Sequence, residues 1–523
     1  MTHFIKKQRL EIKFIGSEAE GFALQKQLMD LYYSKVLPAL DKAFDDCAAE
    51  HTHLVFDRLS INLGNFEKDK IGEQFAPALV KAVTDQIWEK SGNFNQNSSQ
   101  PENNDLDKPT SLTNQEYLFK VFVHFLQNGD LPWWYKIPVG KNLEEVIVRL
   151  FDQDLKSTGI HLIKTNIVEI LAKENSRKRL NLQFSLEFCN LFIAWLSPEM
   201  AKTTQEVFQL IEGNGFSIDE SKIMLEALQR TSLMAISKGA TISGTELKTQ
   251  SINYLYQNSQ KQSELSPWIQ KVARLLKVEL KPEINSFLSA SKTDKLSLNQ
   301  SQTEDSELEI KQTEEQISET NTKEFVNQSS SDFVKPNGGD KLQSEIKEVE
   351  FNQNETIGAG IYIENSGLVI LHPFLPQLFN ALGISENDKL IDTNKALCLL
   401  NYMATGQKQM PEYNLVLPKV LCQVAITAPA PIEVKLTDNE LQEADNLLDA
   451  VIKHWEALRN TSREGLRSTF LLRPGKLSKK QDGDWLLQVE NKSFDILLDQ
   501  LPWGISMIKL PWMKQMLWVE WRL

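Results

Sequence analysis

The chain opens on an alternation. Leu10, Ile12 and Phe14 are apolar, Glu11 and Lys13 between them are charged, and this period of two predicts a half-buried strand. The period then lengthens. Over residues 18–44, Leu24, Leu28, Leu31, Tyr32 and Val36 fall on one helical stripe, with Pro38 placed to kink the helix. Leu59, Ile61 and Leu63 return to period two and stop at Gly64, and Phe75, Leu79, Val83 and Ile87 mark a second helix over residues 68–90. Residues 1–90 therefore predict a β-α-β-α unit with a short sheet.

Residues 91–112 are rich in Asn, Ser, Gln and Pro and predict a linker. Helical spacing returns over residues 113–282, with apolar clusters at 117–122, 143–151, 160–171, 186–196 and 221–228 and no fixed repeat. This predicts a bundle or an irregular helical array. Residues 289–350 are dominated by Ser, Thr, Gln, Asn, Glu and Lys, with Phe325 and Phe333 as their aromatics. Such a stretch cannot bury enough apolar area to offset its ordering entropy, and it carries no sustained heptad.

Order is expected again from residue 357. A strand is predicted at 361–363, with helices at 368–382, 394–404 and 413–424. A long helix opens at the capping box Thr437-Asp438-Asn439-Glu440 and runs to about 458, and 466–472 continues helical. Lys476 and Leu477, the turn Gln481-Asp482-Gly483 and residues 485–489 predict a hairpin, and 505–510 and 517–521 predict final strands. The expected fold class is α+β and predominantly helical. Its parts are a small N-terminal α+β unit (1–90), a helical block (113–282), a disordered polar linker (289–350) and a Trp-rich mixed α/β C-terminal domain with a short sheet (357–523).

Composition narrows the function classes. The 523 residues are 41% apolar, enough for more than one core. A formal charge of −13 speaks against general nucleic-acid binding, which needs a basic face to displace counterions. No run approaches the roughly 18 apolar residues of a membrane span, and the first ten residues lack the apolar core of a signal peptide. A cytoplasmic protein without membrane insertion is expected. Cys47, Cys189, Cys398 and Cys422 form no CxxC pair and sit in apolar or helical contexts, as buried thiols do.

Candidate chemistry is thin. His51 and His53 form an H-x-H pair, with His3 also near the start, but no third ligand of recognisable spacing accompanies them. His372 and His454 read as satisfied or surface histidines. Gly358-Ala359-Gly360 lacks the third glycine and the preceding strand of a dinucleotide site. Asp482-Gly483-Asp484 reads as a hairpin turn, not a calcium loop, and Asp438, Glu440, Glu443, Asp445 and Asp449 as a solvated helix face. Nucleophile-elbow, P-loop and H-E-x-x-H motifs are missing. No enzyme, cofactor or metal site is predicted.

Tryptophan is the unusual residue. Six of eleven fall after residue 450, and Trp503, Trp512, Trp518 and Trp521 lie in the last 21 residues. They either fill the core of a small domain or dock a partner subunit, a role Trp fills often because of its large area and single N–H. Docking is expected most for Trp518 and Trp521, read as sharing one strand face. Trp133-Trp134 is placed to anchor a corner of the helical block.

Several runs carry a resemblance. They are Gly360-Ile361-Tyr362-Ile363-Glu364-Asn365-Ser366-Gly367-Leu368-Val369-Ile370-Leu371-His372-Pro373-Phe374-Leu375-Pro376, then Tyr402-Met403-Ala404-Thr405-Gly406, Val451-Ile452-Lys453-His454-Trp455, Leu501-Pro502-Trp503-Gly504-Ile505 and Lys509-Leu510-Pro511-Trp512-Met513. With Asp57-Arg58-Leu59-Ser60-Ile61-Asn62-Leu63-Gly64 and Gly129-Asp130-Leu131-Pro132-Trp133-Trp134 near the start, the chain resembles the tape-measure proteins of bacterial contractile injection systems. The resemblance implies an assembly role in a phage-tail-like particle, where a tape measure threads the tube and sets its length. It implies inner-tube, baseplate, spike or cap subunits as partners, a place in the cytoplasm or the assembled particle, and no catalytic residues. Residues 289–350 would span about 190 Å fully extended but only about 45 Å as a flexible coil. That is short for many stacked rings, so action at one end of the particle is as compatible as spanning it. The alternative is a cytosolic adaptor or chaperone that loads an effector through the helical block.

Overall fold

Ser17 starts the first helix, its hydroxyl accepting from the Glu20 N–H while the Glu20 carboxylate accepts from the Ser17 N–H. The computed structural model describes residues 3–6, 8–47, 52–92, 110–151, 159–212, 214–259, 266–278 and 360–521. Helix α1 (Glu18–Leu31) continues through a single wide turn, Tyr32–Val36, into α2 (Leu37–Cys47). Pro38 accounts for the wide turn. It has no N–H to give Ser34, and the Leu37 N–H reaches back five residues to the Tyr32 carbonyl. After β1 (Thr52–Val55), α3 (Ile71–Gly92) packs Phe75, Leu79, Val83 and Ile87 against Leu24, Leu28 and Leu40.

Two predicted strands are corrected here. Residues 10–14 and 59–63 carry no strand pairing. Leu59, Ile61 and Leu63 do pack against the N-terminal core, so their alternation reports a buried face truthfully. A ladder also needs a partner backbone, and alternation says nothing of that. The strand that does form, β1, pairs antiparallel with β2 (Thr110–Thr113), Thr52 opposite Thr113. The end of the predicted 91–112 linker thus belongs to a sheet, while 93–109 lie outside the described residues, as do 289–350.

Helices fill the next stretch: α4 (Asn114–Asn128), α5 (Leu143–Ile147), α6 (Gly159–Ala172), α7 (Glu174–Gln183), α8 (Leu186–Leu196), α9 (Pro198–Glu212), α10 (Ile218–Ser237), α11 (Gly244–Ser259) and α12 (Ser266–Leu275). Phe122 is its aromatic centre, with edge-on contacts to Phe184, Phe188 and Phe192 at ring distances of 5.6–6.0 Å. Capping boxes at Thr113/Glu116 and Ser217/Glu220 start α4 and α10.

The C-terminal stretch begins with β3 (Ile361–Ile363) and a 3₁₀ turn, Ser366–Leu371, then α13 (Leu375–Ala381), the short pair β4 (Ser385–Glu386) and β5 (Lys389–Leu390), α14 (Thr393–Thr405), α15 (Val416–Leu421), α16 (Asp438–His454) and α17 (Arg463–Leu466). The expected box at Thr437 opens α16, with Glu440 N–H to Thr437 Oγ1 at 3.2 Å and Thr437 N–H to Glu440 Oε2 at 2.7 Å. The expected hairpin is β6 (Gly475–Lys479) and β7 (Trp485–Val489), turning at Gly483 with φ +89°. With β8 (Met507–Ile508) and β9 (Leu517–Glu520) they form a five-stranded sheet ordered β3-β6-β7-β9-β8, in which β7 and β9 alone run parallel. Leu477, Leu487 and Val519 line its inner face over one core with the helices, and Trp455 is buried in that core with its N–H on the Leu497 carbonyl at 3.1 Å. Together these parts give the mainly helical α+β class expected.

Gly367 shows how close the packing is. A Cβ there would stand 1.7 Å from the Phe470 carbonyl oxygen, which is backbone and cannot swing aside. Gly367→Ala is expected to destabilise the full chain by about 1–3 kcal/mol in urea unfolding. At Gly504 a Cβ meets nothing within 4 Å. Gly504→Ala should stay within about 0.5 kcal/mol of the parent.

Candidate functional site: a buried ionic node and the C-terminal tryptophans

Helix α4 ends on Gly129 in the left-handed region, φ +85°, which gives its N–H to the Phe125 carbonyl. A Cβ at Gly129 would lie 2.3 Å from Glu412 Oε1 and 3.0 Å from Arg179 Nε. Both the turn and the close approach demand glycine. Beyond it sits a charged cluster drawn from distant parts of the chain. Arg179 on α7 donates Nε to Glu412 Oε2 at 2.9 Å and Nη2 to Glu412 Oε1 at 3.1 Å. Lys419 on α15 donates Nζ to Glu412 Oε1 at 2.5 Å and to the Ile426 carbonyl at 2.8 Å. All three side chains are at most 1% exposed.

The remaining donors are also used. Arg179 reaches the Leu126 carbonyl through Nη1 and the Thr427 carbonyl through Nη2 at 2.7 Å. The Glu412 N–H goes to Gln183 Oε1 at 2.8 Å, and Gln183 Nε2 to the Ala430 carbonyl at 2.8 Å. The Ile432 N–H meets the Leu182 carbonyl at 2.8 Å. Burial pulls the Lys419 ammonium below its ordinary value, against the opposing pull of Glu412. Two cations share one carboxylate at this node. Nearby Asp130, itself buried, draws His124 Nε2 to Oδ1 at 3.0 Å. The arrangement is a fastening between residues 126–183 and 410–432. With its hydrogen-bonding groups occupied by the protein itself, it offers little to a substrate.

None of these node residues was legible as a site from composition or motif. Two signals could have pointed there. Lys419 interrupts the apolar run of α15, and Gly129-Asp130 breaks an apolar helix with a residue able to take positive φ.

The four C-terminal tryptophans are not brought to one surface. Trp503 is half-buried with its N–H on the Ile370 carbonyl at 3.0 Å. Trp512 is half-buried with its N–H on the Leu421 carbonyl at 2.7 Å, stacked on Phe379. Trp521 is 7% exposed and gives its N–H to Asp495 Oδ2 at 3.1 Å, while Trp518 is 37% exposed. The expectation that Trp518 and Trp521 share a face is corrected. An offset of three in a strand reverses the face, because side chains alternate with period two. Trp518 lies on the outer face in register with Leu486 and Met507, its N–H on Asp484 Oδ2 at 3.0 Å and Lys480 Nζ 4.8 Å from its ring.

The weaker candidates fall into ordinary structural roles. His53 on β1 meets Asn114 Oδ1 at 2.7 Å and stacks on Tyr117 at 3.8 Å, and burial lowers its imidazole pKa. His51 and Gly358 lie outside the described residues. Among the described residues, no group of three or more His, Cys, Asp or Glu could hold a metal ion. His372 Nδ1 meets the Val369 carbonyl at 2.9 Å, and Trp133 lies beneath Lys6 Nζ at 5.9 Å. The acidic residues of α16 are paired more than expected. Glu440 binds Lys395 at 2.6 Å, Asp445 binds Arg463 at 2.8 Å, and Asp449 binds the same Arg463. The four cysteines are free and buried, and among the described residues no helix is long and apolar enough to cross a membrane.

No curated protein and no solved structure matches the chain. A family model does, the contractile injection system tape measure protein, over residues 2–521. That match runs through the N-terminal unit, both sides of the ionic node and the tryptophan-bearing sheet, and the chain therefore belongs to the contractile injection system tape measure protein family.

Proposed function

We propose that the chain is a structural assembly component of the contractile particle, acting in tube assembly from one end of the tube. The family match gives the particle. The observation that favours an end position is the node at Arg179, Glu412 and Lys419. The described residues up to 278 and from 360 belong to one compact unit, so both ends of the stretch between them are held on the same body. At roughly 3.3 Å per residue, residues 279–359 have a contour of about 270 Å, and a loop anchored at both ends reaches at most about half of that, about 135 Å. While the node is closed, such a loop makes a poor ruler for a long tube. Of the four tryptophans, Trp518 is the one left to meet a tube, baseplate, spike or cap subunit. It is on the open sheet face with Leu486 and Met507.

Deletion of residues 289–350, followed by electron microscopy of purified particles, tests this reading. Particles with tubes of parental length are expected. Tubes shortened in proportion to the deletion would overturn the end-acting role and restore a length-setting one. Normal particles from which mass spectrometry finds the chain missing would instead favour a chaperone that leaves before completion.

A further inference from the structure

The residues ahead of α1 have the pattern of a strand, and among the described residues they belong to no ladder. Gln8 accepts from the Tyr32 hydroxyl, and the Phe14 ring lies against Gly21. Those helical anchors are separated by about 16 Å at 1.5 Å per residue. Residues 8–14 span about 20 Å when extended, long enough to run extended beside α1 between these anchors. Arg9 and Glu11, two apart, pair at 2.7 Å on one side. Leu10 and Ile12 belong to the other side and are 44% and 48% exposed. On the neighbouring helix Phe22, Met29 and Tyr33 are 64%, 47% and 62% exposed. At 100° per residue they lie about a quarter-turn from Gly21 and Tyr32, next to the extended stretch. An apolar strip of this extent beside a stretch that joins no ladder among the described residues is unusual on a monomer.

We propose that residues 9–14 pair antiparallel with the same residues of a second copy of this chain, centred on Ile12. The charges select this occupant and this direction. Centred on Ile12, the antiparallel register sets Glu11 opposite Lys13 of the second copy, Lys13 opposite Glu11, and Leu10 opposite Phe14. A parallel pairing in register would set Glu11 beside Glu11 and Lys13 beside Lys13, which repel. The existing Arg9–Glu11 pair is exposed on both sides and holds Glu11 only weakly. A two-fold axis through Ile12 also doubles the apolar strip into one continuous surface, as isologous dimers do. The surface is separate from the node and the tryptophan face and does not depend on the proposed role.

The test uses the full chain. Directly opposed strand residues have Cα atoms within disulfide reach, and the four native cysteines are buried. Under mild oxidation Ile12→Cys is expected to give a covalent dimer. Glu11→Cys or Lys13→Cys alone should give little, and an equimolar mixture of the two should give the mixed dimer. In sedimentation the parent chain should be dimeric, Glu11→Lys should weaken the dimer about tenfold, and Glu11→Lys with Lys13→Glu should restore it. A parent chain that stays monomeric over its accessible concentration range overturns the proposal. So does efficient crosslinking of Glu11→Cys to itself, or a dimer indifferent to the charge reversal.

Discussion

Glu412→Ala is expected to cost the full chain about 4–5 kcal/mol in urea unfolding, the largest loss among single substitutions considered. The carboxylate is fully buried and serves two cations, Arg179 at 2.9 Å and Lys419 at 2.5 Å. Its removal strands the Arg179 guanidinium out of water with carbonyl acceptors only, and takes away the main charge that holds the proton on buried Lys419. Replacing Lys419 with Met is a milder change, because the Arg179–Glu412 pair persists and burial already disfavours the lysine charge. The double variant Glu412→Ala with Lys419→Met should therefore lose at least about 1 kcal/mol less than the sum of the two singles. A fully additive pair would show that the node is not the coupled unit its geometry indicates. Loss of the node also loosens the attachment of residues 410–432 to α7, the attachment on which the proposed end-acting role depends.

Asp495→Ala is expected to cost about 3 kcal/mol, and most of the loss should vanish in acid. Asp495 accepts two bonds from Arg473, at 2.7 and 2.9 Å, one from the Lys492 N–H at 2.8 Å and one from Trp521 at 3.1 Å. The loss falls below that at Glu412 because one cation depends on the carboxylate, and Arg473 keeps the Thr469 and Glu490 carbonyls. Burial alone would raise the Asp495 carboxyl. The hydrogen bonds from Arg473, Lys492 and Trp521 outweigh it and hold the group below the ordinary carboxylate range. A depressed native value means stability that is present above the unfolded value near 4 and is lost as pH falls through the native one. Unfolding at a series of pH values should show parent and variant converging below about pH 4. A constant gap down to low pH would assign the loss to packing around Trp521 and Phe494 instead.

The parts of the fold visible in the sequence share one property, that they are made by residues close together in the chain. The Thr437–Glu440 box, the helical stripe of Leu24 and Leu28, and the Gly483 hairpin each close within a few residues. Local pattern does not decide Leu10–Phe14, whose alternation meets no ladder among the described residues, or Trp518 and Trp521, whose offset of three places them on opposite faces. Capping boxes at Ser17, Thr113 and Ser217 are equally local, each closing between a residue and the glutamate three positions on.

By itself, the sequence determined the mainly helical class, the buried thiols, the position of the C-terminal hairpin and the family resemblance that the match over residues 2–521 then supported. These follow from periodicity, capping and local turn chemistry, which act over one or two turns of chain. Tertiary structure alone decided that β7 takes β9 as a parallel neighbour, that β1 reaches past residue 93 to β2, and that Arg179 meets Glu412. Partners so far apart leave no periodic trace, because neither residue's surroundings are set until the intervening chain has closed. A buried charge looks like a surface charge until its counter-ion arrives from elsewhere.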